Sequence, residues 1–323
     1  MILEQYSAKA PFTSRHLLCL QEYTQDEILQ ILSLGLDLKK KQKAGAPHRL
    51  LEGQALAMIF AKSSTRTRVS FEVGIFQLGG TALYLNAGDI QLGRGESIQD
   101  TAETISRMVD GIMIRTFSQQ DVIELAKYSR VPVINGLTDA YHPCQALGDM
   151  LTLYENKGAF DDMKLTFIGD GNNVCHSLMI ACTKLGVSVS VAHPEGYAPD
   201  RLVVEFARLN AKKTGCTVEI GTDAIAAARG ADAVYTDVWA SMGQEGEAEE
   251  RKAFFAPYQV NEALMATAKK DAVFMHCLPA HVGEEVTSDV MYGPHSVVFE
   301  EAENRLHAQK AVMAILMRKA NGA

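Results

Sequence analysis

Ala55-Leu56-Ala57-Met58-Ile59-Phe60 is an unbroken apolar run, and Ser63-Ser64-Thr65-Arg66-Thr67-Arg68 follows it almost at once. A short apolar run of this kind reads as a strand buried on both faces of a sheet. The pattern from Val69 to Leu78 then reads as a helix. Strand, polar turn and helix form the first part of a βαβ unit. The first turn of a helix carries open backbone N–H groups and a partial positive charge. Hydroxyls add donors, and a guanidinium adds a planar fork that fits phosphate. A polar helix cap with exposed arginines would share part of this pattern. Two arginines beside four hydroxyls, directly after a buried strand, favour an anion cradle. The turn is not a glycine-rich phosphate loop, so it points away from nucleoside triphosphatases and towards a smaller phosphorylated substrate.

The same alternation continues along the chain. Strands are predicted at Ala55–Phe60, Thr81–Leu85, Gly111–Ile114 and Val131–Ile134, with helices at Thr67–Leu78, Ile98–Met108 and Asp121–Tyr128. A second series of strands is predicted at Lys164–Ile168, Val187–Ala192, Thr217–Ile220, Ala233–Thr236, Ala272–Met275 and Ser296–Phe299. Its helices are predicted at Val174–Leu185, Arg201–Lys212 and Asp223–Ala228. Leu17–Lys43 and the segment from Ala302 to Ala320 also read as helical, the latter as a terminal helix packed on the body. Strands separated by helices of this length imply parallel sheets. The expected fold is therefore α/β, with two doubly wound parallel-sheet domains and the active site in the cleft between them. The seam is expected between Tyr141 and Phe160, with domains at residues 1–150 and 151–302 and a C-terminal helix at 303–323.

Composition narrows the function classes. The chain has 323 residues, which suits two domains rather than one. A net charge of −8 argues against nucleic acid or an anionic membrane as partner. The six cysteines form no CxxC pair, which suits a reducing compartment. Met1 to Pro11 contain no apolar signal region, and no run approaches the roughly 20 apolar residues of a membrane span. A soluble cytoplasmic protein is expected.

Four further segments carry chemistry. His142 stands just before Pro143, a residue suited to a helix's first turn, and is followed by Cys144 and Gln145. The imidazole is a candidate oxyanion donor or acid–base group, or simply a capping residue. Phe274-Met275-His276-Cys277-Leu278-Pro279 takes an apolar strand directly into His-Cys. There Cys277 is a candidate nucleophile, ligand or pocket-lining residue. No standard zinc spacing is present, and no metal is expected. Asp237 follows a strand end and suits a substrate ammonium, and Gly243-Gln244-Glu245-Gly246-Glu247 has the composition of a mobile lid. Gly169-Asp170-Gly171-Asn172-Asn173 resembles half a dinucleotide fingerprint. Val174 replaces its third glycine, and the next strand ends without a ribose-binding acid, so a nicotinamide enzyme is a weak alternative.

Together, and in order, these segments resemble the carbamoyltransferase family, in particular its ornithine-using branch. The resemblance also takes in Gln91, Arg115 and Glu303-Asn304-Arg305, and covers nearly the whole chain. It implies a carbamoyl phosphate-binding domain at 1–150 with the C-terminal helix 303–323 packing back on it, and an ornithine-binding domain at 151–302. It implies that Ser64, Thr65, Arg66 and Thr67 hold the phosphate. Arg115, His142, Pro143, Cys144, Gln145, Cys277, Leu278 and Arg305 would surround the carbamoyl group, with Gln91 near a subunit boundary. Arg66, Arg115, His142, Cys277 and Arg305 would be the catalytic set, and Asn173, Asp237, Ser241 and Met242 would hold ornithine. The implied reaction gives L-citrulline in arginine metabolism, requires no cofactor, and takes place in a homotrimer or a multiple of trimers. Putrescine or acetylated ornithine is the alternative acceptor, and Ser241-Met242-Gly243 favours ornithine. A catalytically dead relative would need to lose a charged site residue, and Arg66, Arg115, His142, Asp237 and Arg305 are all present. Val282 departs from the arginine found in many relatives.

Overall fold

The structure is a computed structural model, which describes residues 2–91, 95–240, 246 and 248–318. In chain order the helices and strands run α1 (Gln25–Lys43), β1 (Ala55–Phe60), α2 (Thr65–Gln77), β2 (Thr81–Asn86), α3 (Ile98–Ile105), β3 (Gly111–Arg115), α4 (Gln119–Tyr128), β4 (Val133–Leu137) and α5 (Pro143–Lys157). They continue with β5 (Lys164–Ile168), α6 (Asn173–Leu185), β6 (Ser188–Ala192), α7 (Arg201–Thr214), β7 (Val218–Gly221), α8 (Ala224–Ala228), β8 (Ala233–Thr236), α9 (Ala248–Phe255), α10 (Glu262–Met265), β9 (Val273–His276), α11 (Ser288–Met291) and α12 (Val298–Leu316). Among the described residues, no helix is long and apolar enough to cross a membrane. The chain divides into two compact units, one of Ile2–Leu151 with the segment from Asn304 onward, the other of Thr152–Glu303.

The N-terminal unit holds a parallel sheet in the order β2-β1-β3-β4. β1 and β3 form its interior, and β3 is buried along its whole length. Their register sets Phe60 beside Arg115, and Arg115 in turn beside Leu137. The chain leaves β1 in one direction and β3 in the other, so the crevice at their carboxyl ends is a topological switch point, where open α/β sheets bind ligands. Within this unit α12 packs closely on α2 and α5. A Cβ added at Gly74 would lie 2.9 Å from Met313 Cε, and one at Gly148 would lie 3.3 Å from the Arg305 backbone nitrogen.

Lys310 on α12 is fully buried, and its ammonium group meets three neutral acceptors: Gln42 Oε1 (2.9 Å), His48 Nε2 (2.8 Å) and Gln77 Oε1 (2.8 Å). Burial pulls its pKa down to about 8. In the unfolded chain a lysine titrates near about 10.4, so between these values the unfolded state binds more protons and stability rises with pH. The contribution is complete above the unfolded value and lost as pH falls through about 8. Unfolding midpoints of wild type and Lys310→Met, compared at pH 7.5 and pH 10, are expected to shift in favour of wild type at the higher pH. An unchanged difference would contradict this.

The second unit holds a five-stranded parallel sheet in the order β7-β6-β5-β8-β9. β5, β8 and β9 are buried, and their core includes Ile168, Val234 and Phe274. The switch point here lies between the carboxyl ends of β5 and β8.

Several boundaries differ from the sequence reading. Ser296–Phe299 is not a strand. Ser296 makes one isolated bridge to Phe274, and α12 starts at Val298, five residues earlier than the expected 303. Glu300 and Glu301 in its first turn complement the helix dipole. The last residues of the expected terminal helix, 319–323, lie outside the described residues. β4 is displaced towards the C-terminus, because Pro132 has no N–H to give a ladder. Leu17 pairs with β4 at Ile134 instead of starting a helix.

Candidate functional site

In the N-terminal unit, three strand-end loops converge at the switch point. After β1, Ser64 caps α2, its Oγ accepting from the Thr67 N–H at 3.2 Å. The first-turn residues Thr65 and Arg66 therefore sit at the positive end of α2. Arg115 ends β3 and is buried. Beyond β4, His142 precedes α5, and its carbonyl accepts from the Gln145 N–H at 3.1 Å. The imidazole is almost wholly buried. Burial, then the charges of Arg305, Arg115 and Arg66, hold its pKa well below the usual value. A neutral ring at pH 7 follows, able to donate a hydrogen bond without adding a fourth positive charge.

Arg305 reaches this site from α12. Its Nη1 donates to Gln145 Oε1 at 2.6 Å and its Nη2 to Thr67 Oγ1 at 3.2 Å. With the Gln309 carboxamide oriented to suit its neighbours, its oxygen accepts from Arg305 Nε (3.2 Å) and Nη2 (2.9 Å), and its NH2 donates to Ser70 Oγ. Gln145 Nε2 donates in turn to the buried Asp149 Oδ1 at 2.8 Å. The guanidinium is thereby held in one plane by groups on α2, α5 and α12.

Cys144 and Gln91 were also expected at this site. The Cys144 thiol is buried and donates to the Asn135 carbonyl at 3.4 Å, and burial pushes its pKa up to about 12. It is a neutral, inward-facing group. Gln91 is exposed in a turn, and residues 92–94 beside it are outside the described set. Lys62 was not singled out from sequence. Its buried ammonium donates to Asp139 and lies 4.2 Å from the centre of the Phe117 ring. One side chain thus ties together the loops after β1, β3 and β4.

In the second unit, Asp237 follows β8 and is mostly buried. Its Oδ2 accepts from Asn172 Nδ2 at 2.7 Å, and its Oδ1 accepts from the Cys277 thiol at 3.0 Å and its neighbour Val238 N–H at 2.8 Å. Asn172 caps α6, its Oδ1 accepting from the N–H groups of Val174 and Cys175. That side chain is held between the start of α6 and Asp237, and Asn173 begins α6 beside it. Cys277 and Leu278 directly follow β9. Ser241 and Met242 lie outside the described residues.

Asp170, after β5, is the second acid here. Burial pushes its pKa up, and a hydrogen bond from Arg251 pulls it back. Arg251 Nη1 donates to Asp170 Oδ2 at 2.7 Å and to the Trp239 carbonyl at 2.9 Å, and its guanidinium lies 4.9 Å from the centre of the Tyr197 ring. Arg251 was also missed from sequence, where an arginine within Glu249-Glu250-Arg251-Lys252 looks like part of a solvated charge cluster. Asp237, His276 and Cys277 place ligand-type atoms within 4.8 Å of one another. Both His276 nitrogens are already hydrogen-bonded, Nε2 with Glu285 and Nδ1 with the Leu278 N–H, and the thiol donates to Asp237. The cluster is a hydrogen-bonded network without a standard zinc donor set.

Comparison with known proteins matches this division of labour. Residues 15–155 match the sequence family described as the aspartate/ornithine carbamoyltransferase carbamoyl-P binding domain, and residues 161–316 match its Asp/Orn binding domain. The ornithine carbamoyltransferase of Pyrococcus horikoshii is 61% identical over 303 residues, covering 94% of this chain and 96% of the relative. A Pyrococcus furiosus relative named as the anabolic ornithine carbamoyltransferase is 60% identical with the same coverage. The solved structure of ornithine carbamoyltransferase from P. furiosus superimposes with a TM-score of 0.94 at 59% identity, over 97% of this chain and 100% of that one. That from Thermus thermophilus superimposes with a TM-score of 0.86 at 39% identity, over 95% and 100%.

Proposed function

The chain belongs to the aspartate/ornithine carbamoyltransferase family, and from this we propose that it transfers the carbamoyl group of carbamoyl phosphate to the δ-amine of L-ornithine. The products are L-citrulline and phosphate. Asp237 carries the choice of acceptor. A buried carboxylate at the second unit's switch point, with its orientation set by Asn172 and Cys277, suits a cationic amino acid and opposes a dicarboxylate.

The chemistry needs fixed positive charge and positioning. The neutral δ-amine attacks the carbamoyl carbon, a C–N bond forms, the C–O bond to phosphate breaks, and the departing phosphate takes up the proton that the amine gives up. Ser64, Thr65, Thr67, Arg66 and the start of α2 hold the phosphate as its charge grows. Arg115, His142 and Thr67 stabilise the carbamoyl oxyanion, with Arg305 and Gln145 completing that wall. The neutral state of His142 makes it a hydrogen-bond donor here. Asn173, Asp237, Ser241 and Met242 hold the amino acid, and Asp237 pairs with its α-ammonium, leaving the δ-amine to react. By family resemblance, the Cys277-Leu278 backbone belongs to the surroundings of the carbamoyl group. Holding two reactants in line supplies much of the acceleration in such reactions.

The assembly in this reading is a homotrimer or a multiple of trimers, located in the cytoplasm, with Gln91 near a subunit boundary. Its support is a set of exposed apolar side chains on the N-terminal unit. Val69 and Phe76 on α2 and Leu83 on the edge strand β2 are exposed by 52%, 74% and 46%. Exposed apolar side chains on and near an open edge strand favour association.

The test is citrulline formation from carbamoyl phosphate and L-ornithine, run beside putrescine, N-acetylornithine and aspartate. Turnover with ornithine far above the others is expected. Preference for another amine would overturn the acceptor assignment. Sedimentation of the same preparation should give a multiple of three chains, and a monomer would remove the trimer.

A further inference from the structure

The backbone that leaves β9 is held in an unusual shape by one buried ring. Leu278 has φ of +55°, in the left-handed region that side chains with a Cβ rarely adopt. Its N–H donates to His276 Nδ1 at 2.9 Å. That nitrogen must therefore be the unprotonated one, and the ring proton sits on Nε2. Nε2–H in turn donates to Glu285 Oε1 at 3.1 Å, and both side chains are completely buried. The same carboxylate oxygen accepts from the His281 N–H at 2.6 Å, so Glu285 grips the loop at its far end too. On the other side, the His276 N–H donates to Glu301 Oε2 at 2.9 Å, and the Tyr235 hydroxyl holds Glu301 Oε1 at 3.0 Å.

We propose that His276, fixed in one tautomer by Glu285, is the positioning residue that sets the Cys277-Leu278 backbone in its working conformation. The claim rests on the reading above, in which that backbone meets the carbamoyl group. His276 itself touches no substrate. Glu285 selects the tautomer, the bare Nδ1 captures the Leu278 N–H, and the captured residue stays left-handed. The same turn holds the Cys277 thiol on Asp237. A buried histidine–carboxylate pair that only added stability would have no need of the Leu278 contact.

Two isosteres separate the roles. In His276→Asn the side-chain oxygen takes the place of Nδ1, keeping the acceptor and losing the Glu285 contact. In His276→Gln the amide takes the place of Nε2, keeping a donor to Glu285 and losing the acceptor. His276→Asn is expected to retain kcat within about 3-fold even where its melting temperature falls. His276→Gln is expected to lose about 100-fold in kcat, the scale of a misplaced reacting geometry. Glu285→Gln, which still accepts from Nε2–H, should rescue most of the activity that Glu285→Leu loses.

Deuterium uptake by the peptide spanning residues 274–282 provides a readout independent of which amine is the substrate. Uptake should stay slow in His276→Asn and accelerate in His276→Gln. Equal losses in both variants, or the greater loss in His276→Asn, would overturn the proposal. Absence of citrulline formation by the wild type would instead overturn the reading it rests on, and the exchange result would still decide the positioning role.

Discussion

Arg66→Ala is expected to lower kcat/KM for carbamoyl phosphate by at least about 100- to 1000-fold, or roughly 2.7–4 kcal/mol of transition-state stabilisation, the scale for removing one charge-stabilising donor. Arg66 lies in the first turn of α2, where the helix's positive end already favours an anion, and its charge is close enough to act on His142. As phosphate departs its charge rises, so the interaction is stronger in the transition state than in the bound substrate. The loss should therefore fall on kcat as well as on KM. The stability cost should be small, since Arg66 is only partly buried and Ser64, not Arg66, caps the helix. Steady-state kinetics with both substrates varied, beside a melting curve, would check both parts. Near-normal kcat/KM would take Arg66 out of the site.

The second large effect is expected at the other switch point. Asp237→Asn should raise KM for ornithine by about 30-fold or more while KM for carbamoyl phosphate changes little, following the loss of roughly 2–5 kcal/mol when one partner of a buried charge pair is removed. The substitution keeps the shape but not the chemistry. If the new amide nitrogen takes the place of Oδ2 it faces Asn172 Nδ2, and if it takes the place of Oδ1 it faces the Cys277 thiol and the Val238 N–H. Either orientation sets a donor against a donor, so the local turn is disturbed in addition to the lost charge. Equal rises in both KM values would show a general loss of structure and count against a specific acceptor role.

How much of this was legible in the chain depended on the kind of interaction. Strands buried on both faces, such as Ala55–Phe60 and Lys164–Ile168, are apolar runs with helices between them, and parallel sheets follow. Ser296–Phe299 misled because Val297 and Val298 look alike as strand or helix start, and the telling signal was the acid pair Glu300-Glu301 that follows. In the site, Ser64 was visible as a cap and Arg66 as a cation beside it, since both belong to one turn. The Arg305 contact with Gln145 spans 160 positions, and no local pattern announces it. Lys62 and Arg251 were hidden for a related reason. A lysine or arginine in a polar stretch looks solvated until the fold buries its head group against a distant carboxylate.

The placement of α12 has a consequence for how the protein is made. Arg305, Gln309 and Lys310 complete the N-terminal unit, although more than 150 residues of another unit are synthesised before them. While the chain is still on the ribosome, α1, α2 and α5 must wait with the groove for α12 unfilled and the Gln145 carboxamide without its guanidinium. The first unit to emerge is then the last to be finished. Affinity for the phosphorylated substrate should appear late in synthesis, only after the segment through about residue 317 has cleared the exit tunnel.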